Sequence, residues 1–457
     1  MDSQRAHRFH PISRQLSLSP FRKRGAGWLY LAVIGLAAFL STEVQAQELP
    51  RRALFGASIA PAEGGGVAVG AVTPGAAAAR AGLAAGDQIL TAGGTPIAGP
   101  AEFLAALSQA TAGKEWPLEV KRGDERLEVV VTLDEYPRLT SPDYAFGYGA
   151  VEAEGALRRT IMTVPPGDGP HPAVLLLGGV SCYSLDVSAP APHPYLLLRD
   201  ALTRAGYATL WVEKSGVGDS QGVPCPEMNF ETAVAGYRAG LAALRKHAVV
   251  DPDGVFLVGH SMGGLIAAIL AGESDVAGVV AVETSGLPWF EYTLANLRRQ
   301  LPLEGLTPAQ VDAAMREALR ANYTVFVGDE DPEAVFADHP SWAGFVALPQ
   351  DISYMRQVAE VDPAAVWLAT DAPALLIAGG SDFVTDPAEH EYLASVLNAA
   401  RPGMASYVLI EDLDHFLNAV PDRATSYRSF KNGQPFGDYN PELANIIIGW
   451  LNDQSQP

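Results

Sequence analysis

The sequence predicts an α/β fold: a doubly wound, mostly parallel sheet under a helical cap, preceded by a small α+β domain. Three observations carry that expectation. From about residue 144 to the carboxyl end, apolar strand-length runs alternate with helix-length segments. Between Ser285 and Thr370 the alternation gives way to largely helical sequence. From about Ala53 to Leu133 the chain is instead rich in Gly and Ala, with short strands and turns.

Residues 1–46 stand apart. Arg5, Arg8, Arg14, Arg22, Lys23 and Arg24 precede an apolar stretch from Trp28 to Leu40, and Val44-Gln45-Ala46 ends in small residues. A basic segment, a short apolar core and a small-residue cleavage site describe a secretory signal. At about 13 residues the apolar core is short for a bilayer span. An uncleaved amino-terminal anchor is the alternative, and the sequence offers no other membrane contact. Either way the sequence predicts export, to the periplasm or beyond.

The chain carries 31 Lys+Arg against 52 Asp+Glu, a net charge of −21. Residues 1–46 hold six of the former and two of the latter, so the remainder has a net charge of −25. Such a surface repels nucleic acid and anionic lipid headgroups, and no basic stripe offsets it. Nucleic acid is therefore not expected as a partner.

In segment 53–135, Val67-Ala68-Val69-Gly70-Ala71-Val72 reads as a strand, Thr73-Pro74-Gly75 as a turn, and 76–81 as a helix. A second helix over 100–109 and strands over 116–121 and 126–133 follow. The segment resembles a bacterial PDZ domain in Pro74-Gly75, Ala78-Ala79, Ala81-Gly82-Leu83, Gly86-Asp87, Ile89-Leu90, Gly93 and Ile97. The resemblance implies a groove where a peptide carboxyl terminus adds as an extra strand. Leu54-Phe55-Gly56 falls at the carboxylate-binding loop, with 56–60 as the receiving strand. Pro61-Ala62-Glu63-Gly64-Gly65-Gly66 departs from the pattern as a flexible glycine insert. A module that only packs against its neighbour is the competing reading.

After a connector over 136–143, strands are expected at 148–154, 157–164, 173–177, 208–212, 255–258, 276–282, 374–378 and 406–410. Helices are expected at 195–205, 230–246, 262–271, 387–399 and 441–452. The helical segment of about 286–370 reads as a cap over the sheet's carboxyl edge. Its Trp289, Phe290, Trp342, Phe345 and Trp367 either line an acyl pocket or form the cap's own core.

The pattern Gly-x-Ser-x-Gly occurs twice, at Gly259–Gly263 and Gly218–Gly222. Context separates the copies. Ser261 has the apolar strand Val255-Phe256-Leu257-Val258 before it and a helical run after it, the surroundings of a nucleophile held on a strained turn. Ser220 comes several residues after its strand and runs into Val223-Pro224-Cys225-Pro226, which cannot begin a regular helix. Ser220 is read as a loop residue. A serine needs a base, and the base an orienting acid. Asp382 follows the strand at 374–378, and His415 the strand at 406–410; Asp386, just before Pro387, reads better as a helix N-cap.

The order Ser261, Asp382, His415 matches the α/β-hydrolases. Segment 144–457 resembles that family, near exported esterases and prolyl-oligopeptidase-like peptidases. The resemblance implies Ser261 as nucleophile, Asp382 as acid and His415 as base. It also implies an oxyanion hole of two backbone N–H groups, from Met262 and, in the Gly178-Gly179-Val180-Ser181 loop, from Val180. Cleavage of small-molecule carboxylic esters through an acyl-enzyme is expected. A peptidase using the same residues, fed by the PDZ groove, is the alternative.

Cys182 and Cys225 each lie in a loop after a predicted strand, at the edge where catalytic loops gather. In an exported protein such a pair reads as a disulfide, with two separate thiols as the alternative. No His or Cys cluster has metal-ligand spacing, and neither metal nor cofactor is expected.

Overall fold

The computed structural model describes residues 49–187, 193–434 and 437–455. The expected secretory signal lies outside these residues. Among them, no helix is long and apolar enough to cross a membrane.

The amino-terminal module is built from β1 (Ala53–Leu54), β2 (Ala57–Pro61), β3 (Val67–Val72), helix α1 (Ala77–Arg80), β4 (Gln88–Ala92), β5 (Thr95–Pro96), helix α2 (Pro100–Ser108), β6 (Glu115–Arg122), β7 (Glu125–Thr132) and β8 (Asp134–Glu135). Its sheet runs β2-β3-β4-β6-β7, which leaves β2 on an edge, while β1 pairs with β8. Alternate residues of β3, β4 and β6 bury Val67, Val69, Ile89, Leu118 and Val120, as a one-sided sheet requires. Phe103 of α2 meets Phe55 and Trp116 edge-on, with ring centroids 5.1 and 5.5 Å away.

Segment 61–66 differs from expectation. β2 and β3 pair up to Pro61 opposite Val67, and Gly65 N–H donates to Ala62 O. The glycines close a hairpin rather than forming a loose insert, because each of Gly64, Gly65 and Gly66 takes a positive φ.

The second unit is a mixed eight-stranded sheet in the order β16-β15-β14-β13-β11-β12-β10-β9. Its strands are β9 (Ala145–Ala153), β10 (Ala156–Val164), β11 (His171–Leu177), β12 (Ala208–Val212), β13 (Val250–His260), β14 (Gly278–Val282), β15 (Ala374–Gly379) and β16 (Ala405–Ile410). All pairings from β12 to β16 are parallel; β10 joins β12 antiparallel and β9 completes a hairpin. The central strands are apolar on both faces, and side chains alternate between them. Ala173, Leu175 and Leu177 pack under α4 (Phe230–Arg245), α5 (Met262–Glu273) and α11 (Pro387–Ala400). Val174 and Leu176 pack under α3 (Pro194–Arg204) and α13 (Pro441–Gln454). Helix α12 (Arg423–Lys431), absent from the sequence reading, follows β16. Its mean hydropathy is low and few of its residues are buried, so it carries little periodic signal.

Between β14 and β15 the chain forms α6 (Trp289–Gln300), α7 (Pro308–Asn322), α8 (Pro332–Asp338), α9 (Ile352–Ala359) and α10 (Pro363–Leu368). The aromatics divide. Trp367 is fully buried in the main core. Trp342 and Phe345 pack in the cap's own cluster, and Trp289 lines a pocket with Ser261.

The module and the sheet meet in a buried charge cluster. Arg51, just before β1, donates to the carboxylates of Asp186 and Asp219, and also to Pro137 O at 3.0 Å. Arg52 N–H donates to Asp219 Oδ1 at 2.9 Å, and its guanidinium reaches Asp186 O. Arg159 of β10 donates to Asp219 Oδ2 at 2.9 Å. The side chains of Arg51, Asp186 and Asp219 are at most 2 % exposed.

Candidate active site

Ser261 stands between the end of β13 and the start of α5, at φ 54 and ψ −125. That region is costly for a residue with a side chain, and it persists only where the surroundings impose it. Its N–H donates to Val282 O on the neighbouring strand at 2.9 Å. The flanking glycines permit the bend. A Cβ on Gly259 would lie 2.2 Å from Gly263 O, and one on Gly263 would lie 2.2 Å from Leu177 O. Helix α5 then points its amino end at the serine, where partial positive charge gathers.

Asp382 and His415 come from the loops after β15 and β16, the second and third strands beyond β13 across the sheet. His415 Nδ1 lies 2.9 Å from Asp382 Oδ2. Asp382 is fully buried and also accepts from Thr385 N–H at 3.0 Å, from Val384 N–H and from the Thr385 hydroxyl. Burial alone would raise its carboxyl, but the His415 imidazole and these hydrogen bonds prevail and hold it below the ordinary range. An ionised carboxylate on Nδ1 leaves Nε2 as the ring nitrogen free to work as a base. Ser261 and His415 line one cleft of about 480 Å³ together with Val180, Tyr183, His193 and Phe416. Asp386, the competing acid, caps α11 through Ala388 N–H.

On its other side Ser261 opens on a pocket of about 40 Å³ lined by Met262, Leu265, Leu287, Trp289, Tyr292 and Val361. The cap segment supplies four of these walls, Leu287, Trp289, Tyr292 and Val361.

The Gly178–Ser181 loop runs beside the serine: a Cβ on Gly179 would lie 3.0 Å from that of Ser261. Gly178 N–H donates to the Tyr237 hydroxyl at 3.2 Å, and Gly179 N–H to the Tyr195 hydroxyl at 3.1 Å. Val180 N–H, the next along, has no acceptor among the described residues, and neither has Met262 N–H at the start of α5. Cys182 and Cys225 are joined in a disulfide, which ties this loop to the segment after β12. Lys214 Nζ donates to Gly179 O and, at 2.9 Å, to Ser181 O.

Several residues of this site escaped the sequence reading. His260, inside the pentapeptide, is not idle. Its Nε2 lies 2.9 Å from His415 O, so Nε2 carries the proton, and Nδ1 accepts from the Tyr195 hydroxyl. One imidazole thus links the His415 backbone to the Gly179 loop. Burial, helped by His415, keeps it neutral by lowering it well below the usual range. Glu283, just past β14, is fully buried at φ 48 with Oε2 3.5 Å from His260 Nε2. Burial, with Asp382 and Asp414 close by, raises its carboxyl well above the usual range, so it stands as a neutral acid. The available signal was weak: Glu283 and Glu213-Lys214 are charged residues that directly follow buried strands.

In the amino-terminal module, Leu54 belongs to β1, Phe55 is buried beside Phe103 and Trp116, and Gly56 leads into the edge strand β2.

Models of two families match the chain: the PDZ domain over residues 44–133 and the alpha/beta hydrolase family over residues 174–425. The esterase EstD of Thermotoga maritima is 22 % identical over 287 residues, covering 63 % of this chain and 64 % of that protein. The chain thus spans less than two thirds of the length of this curated relative. Among solved structures, Est1E of Butyrivibrio proteoclasticus with ferulic acid bound superposes with a TM-score of 0.43 at 14 % identity, covering 67 % of this chain and 98 % of that one. The Pyrococcus furiosus esterase Pf2001 does so with a TM-score of 0.42 at 14 % identity, covering 70 % and 97 %.

Proposed function

The chain belongs to the alpha/beta hydrolase family and carries a PDZ domain ahead of the hydrolase; from that premise we propose that it hydrolyses carboxylic esters of small molecules through Ser261, His415 and Asp382. His415 Nε2 takes the Ser261 proton as Oγ attacks the ester carbonyl. The resulting oxyanion is received by the Val180 and Met262 N–H groups. The carbon–oxygen bond to the alcohol breaks, the alcohol leaves with the proton from His415, and the acyl group remains on Oγ. Water, deprotonated by His415, then attacks the acyl-enzyme, the acid departs, and the proton returns to Ser261.

The observation that carries this reading is the conjunction at Ser261: a serine at φ 54, beside an imidazole fixed by a buried carboxylate. The two cavities support an assignment of sides. His415 lines the larger cleft, so the alcohol that receives its proton belongs there, and the acyl group belongs in the smaller pocket. Because a water needs roughly 10–15 Å³ of such space, the smaller pocket suits a short acyl chain.

A peptidase is the second reading, drawn from the PDZ domain. The edge position of β2 supports a peptide carboxyl terminus adding there, with Leu54, Phe55 and Gly56 at its end. A secretory signal over 1–46, a PDZ-like domain over 53–135 and a hydrolase domain over 144–457 with its cap at about 286–370 complete the proposal. The disulfide supports an exported location.

The test compares short-chain aryl esters with aminoacyl arylamides, using Ser261→Ala as control. We expect ester turnover in the wild type, none in the variant, and fluorophosphonate labelling at Ser261 only. Amide turnover of equal efficiency would favour the peptidase; absence of labelling overturns the catalytic reading.

A further inference from the structure

Lys214 follows β12 and has no place in the reaction as described. Its side chain is nevertheless half-buried, and its ammonium donates to two backbone carbonyls, Gly179 O and Ser181 O at 2.9 Å. Gly179 O and Val180 N–H belong to the same peptide unit. That unit is planar and trans, so its carbonyl and its N–H point in opposite directions. Whatever fixes Gly179 O therefore fixes the direction of Val180 N–H. The rest of the loop agrees with this division. The N–H groups of Gly178 and Gly179 are taken by tyrosine hydroxyls, and Val180 N–H is the first left free to face the cleft it shares with Ser261 and His415.

We propose that Lys214 is a positioning residue for the oxyanion hole: its ammonium grips Gly179 O, aims Val180 N–H at the developing oxyanion, and strengthens that donor by polarising its peptide. A charge-assisted hydrogen bond on the carbonyl withdraws electron density from the amide, which makes its N–H a better donor. The second bond, to Ser181 O, secures the Ser181–Cys182 peptide, so the loop is held on both sides of Val180. The neighbouring side chains fit a purpose beyond packing. Burial pulls the Lys214 ammonium down to about 7, with Glu213 pulling the other way. A lysine kept there, with no ion-pair partner within 4 Å among the described residues, is held by the carbonyls it serves. Cysteine and lysine act on different parts of the loop: the disulfide restrains Cys182, and Lys214 orients the peptides before it.

The inference rests on the ester-hydrolase reading, and the experiment separates the two. Steady-state kinetics on 1-naphthyl acetate are measured for the wild type, Lys214→Met and Lys214→Gln, alongside Tm. An aryl trifluoromethyl ketone, which forms an oxyanion-bearing adduct with the serine, is used as inhibitor. Loss of one oxyanion donor costs roughly 10²–10³ in kcat. We expect Lys214→Met to lower kcat by about 10–100-fold, short of complete loss, with KM within about threefold. The ketone should weaken in proportion to kcat/KM, and Lys214→Gln, which keeps a neutral donor, should recover part of the loss. A purely structural lysine would lower Tm and the active fraction without moving the kcat of the titrated active enzyme. Per active site titrated by fluorophosphonate, a kcat within threefold of wild type in both variants overturns the inference. If the wild type neither turns over the ester nor takes the label, the catalytic reading itself falls, and this inference with it.

Discussion

Ser261 and Ser220 lie in pentapeptides of one pattern, yet they occupy opposite environments. Ser261 is held at φ 54 with its side chain towards two cavities. Ser220 is buried in a loop where its Oγ accepts from Arg159 N–H at 2.9 Å and donates to Glu213 O at 3.2 Å. The glycines differ in the same sense. Those around Ser261 make way for backbone, whereas a Cβ on Gly222 would collide with the Arg158 guanidinium. The contrast teaches that a short motif specifies spacing, and that the next residues decide its use. An apolar helical run after Gly263 turns one serine into an elbow; Val223-Pro224-Cys225-Pro226 turns the other into a brace.

The sharpest way to break this contrast is Ser261→Ala, for which we expect a fall in kcat of about 10⁶ with the fold intact, checked by single-turnover ester assays. Asp382→Asn should follow with about 10⁴ in kcat, because the amide cannot hold the productive imidazole tautomer; activity within tenfold of wild type would return the acid's role to another residue. On the other side of the comparison, Asp219→Asn should act on stability. It takes the carboxylate from Arg159 and leaves Arg51 with Asp186 alone, a change worth about 3–5 kcal/mol, read by denaturant unfolding.

The elbow side should also carry an acid sensitivity that the brace lacks. Gly264 packs on Thr284, whose N–H is accepted by Nε2 of the buried His390 at 2.9 Å. Burial pushes that imidazole down to about 4, against about 6.5 in an unfolded chain. Between those values the unfolded chain binds a proton that the folded chain refuses. The contribution is therefore complete above about pH 6.5 and is lost as pH falls towards 4, by about 3 kcal/mol in all. His390→Gln should flatten that part of the stability profile. The smallest effect belongs to Ser220→Ala: about 1–3 kcal/mol from two unsatisfied backbone groups, with labelling at Ser261 undiminished.

Much of this molecule was legible in its sequence. The apolar runs gave the strands because parallel strands buried on both faces cannot hide their composition. Ser261 was separable from Ser220 because local context carries the elbow. Asp382 and His415 could be nominated because each directly follows a strand, so topology delivers them to one edge. The hidden part depends on contacts that no local pattern encodes. Tyr195 and Tyr237 meet the Gly178-Gly179 loop from helices that bury them for their rings as much as for their hydroxyls. His260 reads as a filler within the motif, and its link to His415 O spans 155 positions. Segment 61–66 misled in the other direction, since glycines in a tight hairpin and glycines in a loose loop have the same composition.

The cluster at Arg51, Arg52, Asp186 and Asp219 gives the connection between the two units a thermodynamic meaning. Composition draws a boundary near residue 143, but the free energy does not. A cut there would remove two guanidinium groups and leave Asp186 with the Tyr148 hydroxyl and Asp219 with Arg159, both carboxylates enclosed by protein. Uncompensated charge in such a place is costly. The hydrolase cut free at that boundary should therefore be less stable than the hydrolase in this chain, since the charges that joined it to the first module lose their partners.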